Sequence, residues 1–259
     1  MEDTPATYAP LLSVRSLTKR FDDVTVLDRV SLSVQAGESL VVLGGGGAGK
    51  GVLLRCVAAL LRPDGGSVHF RGGRVDSRSE RQLVPLRRDI GFLFQSGGVF
   101  DALSVFENIA FPTWEHEQLE DVECRERVER ALALVELDGV IDAGPGDLSG
   151  GQRRRVALAR AIVAGPSMML YDEPTAGLDP LQRGIMTRVI LRLRTTLGLT
   201  SIIATHDVAL ARKTADRVLV LDRGRVHMSG DRDTVLDNAD SLVRNLRTGS
   251  SATEALEPA

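Results

Sequence analysis

The sequence has little of what would place a chain in a membrane or outside the cell. No apolar run reaches the roughly 18 residues that a bilayer-spanning helix needs, and Arg55 interrupts the longest candidate. The chain is therefore expected not to cross a membrane by itself. Its start, Met1-Glu2-Asp3-Thr4-Pro5, is acidic and leads into no apolar core, so no secretory signal is expected. The two cysteines, Cys56 and Cys124, form no motif, which suits a reducing, cytosolic compartment. A strong charge of one sign is also missing: 32 Lys and Arg stand against 35 Asp and Glu. The net charge of −3 gives no electrostatic reason to expect nucleic acid as a partner. What is there is ordinary globular composition, 43% hydrophobic and 26% charged over 259 residues, enough for one large domain or two small ones.

The stretch that organises the chain is Gly44-Gly45-Gly46-Gly47-Ala48-Gly49-Lys50-Gly51. It lies between the apolar run Ser39–Leu43 and a helical-looking segment from Val52 to Leu61, where a strand turns into a helix. Glycines there let backbone N–H groups turn inward around a phosphate, and Lys50 supplies a mobile positive charge for the β- and γ-phosphates. The usual G-x-x-x-x-G-K-S/T pattern ends in a hydroxyl that binds Mg²⁺. Here that position is Gly51, followed by Val52, so the metal side of the site is in question.

Ahead of the loop, Leu11–Leu17 and Val24–Val34 read as strands with turn chemistry at Asp22-Asp23. Phe21, beside that turn, fits either a core position or an adenine-stacking one. After the helix, Ser67–Phe70 reads as a short strand before an arginine-rich loop through Arg81. Ile90–Gln95 is a buried strand whose last residue, Gln95, faces the ligand crevice if the sheet is parallel. From Ser96 to about Ala164 the pattern is helical, with Leu119, Val122, Val128, Leu132 and Val135 at helical spacing. Within it, Leu148-Ser149-Gly150-Gly151-Gln152 opens a helix with Ser149 as N-cap. The exposed N–H groups of Gly150 and Gly151 make a second anion-binding end, and Arg153-Arg154-Arg155 taken alone reads as a solvated face or, more weakly, a nucleic-acid patch. The apolar strand Ser167–Tyr171 delivers Asp172 and Glu173, suited respectively to holding Mg²⁺ and to polarising an attacking water. A loop from Pro174 to Pro180, a helix over Leu181–Leu197, a buried strand Thr200–Thr205 ending at His206, and a hairpin over Val218–Met228 follow.

In order and spacing, these motifs resemble the ATP-binding subunit of ABC transporters over roughly Leu11 to Gly230. The resemblance implies an α/β fold of the P-loop NTPase type: a parallel core sheet flanked by helices, an N-terminal antiparallel β region, and a helical subdomain (about 96–164) inserted after Gln95. The ATP-binding domain would span 11–247, with a disordered tail over 248–259. It implies further that two copies sandwich two ATP molecules, the phosphate loop of one facing the signature Ser149, Gly150, Gly151 and Gln152 of the other. Phe21 would then stack on adenine, Gln95 would sense Mg²⁺ and water, Asp172 would hold the metal, Glu173 would activate water, His206 would contact the γ-phosphate, and Asp179 would belong to the loop between the two sites. The stretch Phe94–Phe111, with paired glycines and Phe100-Asp101, is similar to the phospholipid-transporting Mla-type and Mce-associated ATPases. That similarity implies lipid cargo, permease subunits docking near Ser96–Phe111, a lipid-binding envelope subunit, and a place on the cytoplasmic side of a bacterial inner membrane. Three other readings stand beside it. An ABC protein acting on ribosomes or DNA usually carries two such domains, and only one is seen. A regulatory subunit impaired in hydrolysis is motivated by Gly51, and an amino-acid-type importer shares the general plan.

Overall fold

The computed structural model describes residues 9–116 and 120–248. Strands β1 (Leu12–Phe21) and β2 (Val24–Val34) form an antiparallel hairpin that turns at Asp22, whose φ of 50° is a left-handed conformation that Asp tolerates. β3 (Ser39–Leu43) enters the glycine loop, which opens α1 (Lys50–Val57). β4 (Gly65–Phe70) and β5 (Gly73–Arg74) complete a four-stranded antiparallel sheet in the order β2-β1-β4-β5. There follow α2 (Glu80–Asp89), β6 (Ile90–Leu93), α3 (Val105–His116), α4 (Asp121–Leu134), α5 (Gly150–Ile162), β7 (Met168–Asp172), α6 (Pro180–Leu197), β8 (Thr200–Thr205), α7 (Val208–Thr214), β9 (Arg217–Asp222), β10 (Arg225–Asp231), α8 (Arg232–Leu236) and α9 (Ser241–Thr248). A second sheet has the order β10-β9-β3-β8-β7-β6, parallel except where β10 returns beside β9.

The unbroken apolar runs of β3, β7 and β8 belong to strands covered on both faces. Alternation sends Leu40 and Val42 to one face, with Leu53 and Leu54 of α1 and Leu17 of β1, while Val41 and Leu43 join Leu158 of α5 and Val189 of α6 on the other. Each such fully buried Leu or Val contributes on the order of 1.5–3 kcal/mol. The α/β class, the parallel core and the antiparallel N-terminal region stand as expected.

Several local expectations are corrected. The arginine-rich loop through Arg81 gives way to α2 from Glu80, because Ser79 and Gln82 form a capping box and Leu83 and Leu86 find core contacts. Residues 96–104 are not helical; α3 starts only at Val105, after Ser104 and Glu107 have capped it. Val122 is exposed rather than on the buried face of α4, and Cys124 takes the core position with Val128 and Leu132. Leu119 and the expected tail beyond Thr248 lie outside the described residues.

Candidate functional site

The parallel sheet brings its strand ends to one edge. Leu43 pairs with Thr205, Asp172 with Ala204 and Leu93 with Tyr171, so the glycine loop, Glu173, His206 and Gln95 all emerge at the same level. Ligands of open α/β sheets bind beyond the carboxyl ends of the strands. A cleft of about 430 Å³ lies there, lined by Val26, Gly46 to Val52, Arg55, Gln95, Asp172, Glu173 and His206. Gln95 stands two residues past the end of β6 rather than on the strand, and it still lines this cleft.

The glycine loop is shaped for an anion. Gly49 has φ 100°, and a β-carbon there would come within 2.9 Å of both Leu27 Cδ2 and Val26 O, so only glycine fits. No side chain caps α1 and no acid stands in its first turn, which leaves the positive end of the helix open to the cleft. Lys50 is buried, and its Nζ donates to Gly44 O (2.7 Å) and Gly45 O (3.0 Å) and lies 3.1 Å from Glu173 Oε1. The other oxygen of Glu173 meets His206 Nδ1 at 2.8 Å and accepts longer bonds from Thr205 Oγ1 and the His206 N–H, both 3.3 Å. Glu173 itself has φ 48°, a strained conformation for a residue with a β-carbon; its N–H donates to Ala204 O at 2.8 Å. A carboxylate, an ammonium and an imidazole thus converge on one point above the phosphate loop.

Gly51 leaves space that the neighbouring carboxylate uses: a β-carbon there would lie 3.0 Å from Asp172 Oδ2. Burial raises the pKa of Asp172; the Arg55 guanidinium opposes that shift, Glu173 adds to it and Lys50 opposes it. Mg²⁺ is commonly held by one or two carboxylates together with substrate phosphates and waters. Asp172 and Gln95, in one cleft with the phosphate loop, fit that requirement without the hydroxyl that Gly51 lacks.

The other named residues lie apart from this cleft. Phe21 is exposed at the end of β1, with the Lys19 ammonium 5.3 Å from its ring centre. Ser149 caps α5, accepting from the Gln152 N–H (3.2 Å) while Gln152 Oε1 accepts from the Ser149 N–H (2.9 Å). Gly150 is exposed as expected; Gly151 is buried, because the Gln182 side chain lies over it, which corrects the expectation for its N–H. Asp179 is exposed and caps α6 by accepting from the Gln182 N–H at 2.9 Å.

Of the arginine triplet, Arg153 is exposed as expected, whereas Arg154 and Arg155 are not on a solvated face. Arg153 Nε donates to Leu148 O, Arg154 to the carbonyls of Gln95, Pro174 and Ala176, and Arg155, buried, to Val135 O and Glu136 O. A run of like charges on a helix carries no signal of backbone carbonyls brought near by other elements. Arg55, on the turn after the glycine loop, was legible only as an interruption of an apolar run.

The ABC transporter family model matches residues 27–176. Among curated relatives, the methionine import ATP-binding protein MetN of Brucella abortus is 38% identical over 246 residues, 94% of this chain. The probable ribonucleotide transport ATP-binding protein mkl of Mycobacterium tuberculosis is 37% identical over 238 residues, 92% of this chain. The chain spans 66% of the length of each of these relatives. Among solved structures, cbiO1 of Clostridium perfringens, described as part of the transporter complex cbiONQ, superposes with a TM-score of 0.81 at 31% identity, covering 93% of this chain and 97% of that one. The cassette MJ0796, in a dimeric post-hydrolysis state bound to ADP and Pi, superposes with a TM-score of 0.79 at 29% identity, covering 85% and 98%. A cassette fold of this similarity, a family match over more than half the chain and a phosphate loop facing an Asp-Glu strand end agree: this chain belongs to the ABC transporter family.

Proposed function

We propose that this chain is the ATP-hydrolysing motor of an ABC transporter, working as a nucleotide-sandwich dimer on the cytoplasmic face of a bacterial inner membrane, with a phospholipid as cargo. The observation that carries the motor reading is the convergence of Lys50, Glu173 and His206 above the phosphate loop. In that reading the loop N–H groups and Lys50 hold the β- and γ-phosphates, and Phe21 stacks on the adenine ring. Glu173 takes a proton from water as the water oxygen bonds to the γ-phosphorus and the bond to the β-phosphate oxygen breaks, giving ADP and phosphate. His206, on the far side of the same carboxylate, orients it and donates to the γ-phosphate. Asp172 and Gln95 would hold Mg²⁺, which would supply charge neutralisation at the phosphates. Ser149, Gly150, Gly151 and Gln152 of one copy complete the site of the other, and Asp179 lies on the loop between them.

The permease contact is assigned to the stretch after Gln95. Phe100 and Phe111 are exposed with ring centres 5.5 Å apart, and with Phe92, Phe94 and Arg160 they line a groove of about 280 Å³ between α3, α5 and β6. Exposed aromatic area of this kind suits an amphipathic helix of a membrane subunit. Lipid cargo rests on the likeness of Phe94–Phe111 to the Mla-type and Mce-associated ATPases, which also implies a lipid-binding envelope subunit. A second reading, import of a polar small molecule, is favoured by the 38% identity to a methionine import protein. ATP turnover by the chain copurified with its membrane partners tests the motor: hydrolysis abolished by Glu173→Gln supports it, and hydrolysis unchanged by that substitution refutes it. A deletion strain separates the cargoes. Disturbed lipid distribution with detergent sensitivity supports lipid; intact lipid with loss of amino-acid uptake supports the importer.

A further inference from the structure

The geometry points to Arg154 as a positioning residue for ATP hydrolysis, one that ties the signature helix to the sensor Gln95 and to the backbone that shapes Glu173. The inference rests on the motor reading above and adds a residue to it. Arg154 lies one turn into α5, past Ser149, Gly150 and Gly151. Its Nη2 donates to Gln95 O at 2.8 Å, and its Nη1 donates to Ala176 O at 2.6 Å and Pro174 O at 3.2 Å. One planar guanidinium therefore joins three segments: the helix that begins at the signature, the residue after β6 that lines the cleft, and the loop that follows the catalytic carboxylate.

The loop carbonyls lie one and three residues past Glu173. The Ala176 N–H donates to Glu173 O at 3.2 Å, closing the turn in which Glu173 holds its positive φ. Between the two carbonyls stands Thr175, buried, whose Oγ1 donates to Asp207 Oδ2 at 3.2 Å. The Asp207 N–H donates to Thr205 Oγ1 at 3.0 Å, and Thr205 Oγ1 donates to Glu173 Oε2 at 3.3 Å. A chain of hydrogen bonds thus runs from Arg154 through the loop to the carboxylate itself. A left-handed non-glycine residue persists only where its surroundings hold it, and Arg154 reaches this turn from the signature helix as Asp207 does from the start of α7.

Arg154 is bonded to carbonyls alone, with no carboxylate among its contacts, and burial depresses its pKa. A surface ion pair would make it exchangeable with any cation. A fork that spans two backbone segments is not exchangeable, because a lysine is a single point of charge. An arginine on another helix gives an internal control. Arg188 of α6 is exposed and donates through Nε to Glu136 Oε1 at 2.8 Å, so its guanidinium is held by a surface carboxylate and not by Gln95 or the loop after Glu173.

The experiment measures ATP turnover and MgATP dependence of the full chain with its membrane partners for the wild type, Arg154→Met, Arg154→Lys and Arg188→Met. A misplaced catalytic group lowers kcat rather than weakening substrate binding, and a displacement near 1 Å costs about a hundredfold. Arg154→Met is expected to lower kcat about ten- to a hundredfold with KM within about twofold, Arg154→Lys to restore less than about a third of the wild-type kcat, and Arg188→Met to lose no more than about threefold. Wild-type kcat in Arg154→Met, or a loss carried wholly by KM, overturns the inference. So does a loss in Arg188→Met equal to that in Arg154→Met. If Arg154→Met does not fold, Arg154→Lys decides alone: kcat below about a third of wild type supports the inference and wild-type kcat overturns it. A wild-type protein without turnover overturns the motor reading and this inference together, whereas active wild type with equally active Arg154 variants overturns this inference only.

Discussion

Two helices of this molecule begin at glycines and are built for different neighbours. α1 starts from a left-handed Gly49 with no side-chain cap, and its open end points into a cleft that already holds Lys50, Glu173 and His206 of the same chain. α5 starts from Ser149 with a closed capping box, and its exposed Gly150 does not line that cleft. In the proposed dimer the first end is half of a site that its own chain nearly completes. Among the described residues Lys50, Glu173 and His206 line the cleft at the first end and Ser149 and Gly150 do not, which is the arrangement the proposed dimer requires of a surface that serves another copy. The difference teaches that identical local physics, a helix dipole with free N–H groups, acquires a role only from what tertiary structure puts opposite it.

The comparison breaks most sharply at Glu173. Glu173→Gln removes the proton acceptor and is expected to lower turnover about a thousandfold while ATP still binds, and Lys50→Ala is expected to abolish turnover by removing the ammonium beside it. Steady-state phosphate release with a nucleotide-binding measurement checks both; turnover within tenfold of wild type would dissociate α1 from the chemistry. At α5 the expected effect has two signs. Gly150→Asp places a carboxylate where a helix N-terminus favours one, worth about 0.3–1 kcal/mol, so the isolated chain should melt no lower than wild type. The same carboxylate should repel a partner's phosphate, so ATP-driven dimerisation, read by light scattering, should be lost. Retained dimerisation would remove α5 from the nucleotide site.

A smaller effect is expected at Gly51. Gly51→Ser supplies the missing hydroxyl next to Asp172 and should lower the Mg²⁺ concentration for half-maximal activity by roughly three- to tenfold, about 1 kcal/mol. An unchanged Mg²⁺ titration would mean that Asp172 and Gln95 hold the metal without need of it. The smallest effect is on stability. The pKa of Asp172 is raised in the folded protein, so its charge opposes folding; the cost is full above the folded pKa and absent below the unfolded one, near pH 3.9. Asp172→Asn should therefore raise the melting temperature at pH 7 by about 2–4 °C, and the gain should shrink as pH falls through that window. A lower melting temperature at pH 7 would show that the Arg55 attraction outweighs burial.

Much of this was legible in the residues. Runs such as Ser39–Leu43 and Thr200–Thr205 read as buried strands, and both are strands over those spans, because a doubly covered strand needs an unbroken apolar run. The helix Glu80–Asp89 was not legible: Pro85 lies inside it, and its two buried leucines are too few for a periodic signal. Val122 matched helical spacing and still faces outward, since spacing names a face but not which face the neighbours cover.

The sequence by itself determined the parts: a glycine loop that can wrap a phosphate, a lysine to follow it, a capping Ser149, an Asp-Glu pair at a strand end. These depend on local backbone conformation and on residue chemistry, which neighbouring letters specify. Only the tertiary structure decided that Glu173 stands between Lys50 and His206, that Gln182 covers Gly151, and that Arg154 and Arg155 turn inward to carbonyls of Gln95, Pro174, Ala176, Val135 and Glu136. Those contacts join residues far apart in the chain, and their partners are chosen by strand order and helix packing rather than by any pattern along the sequence.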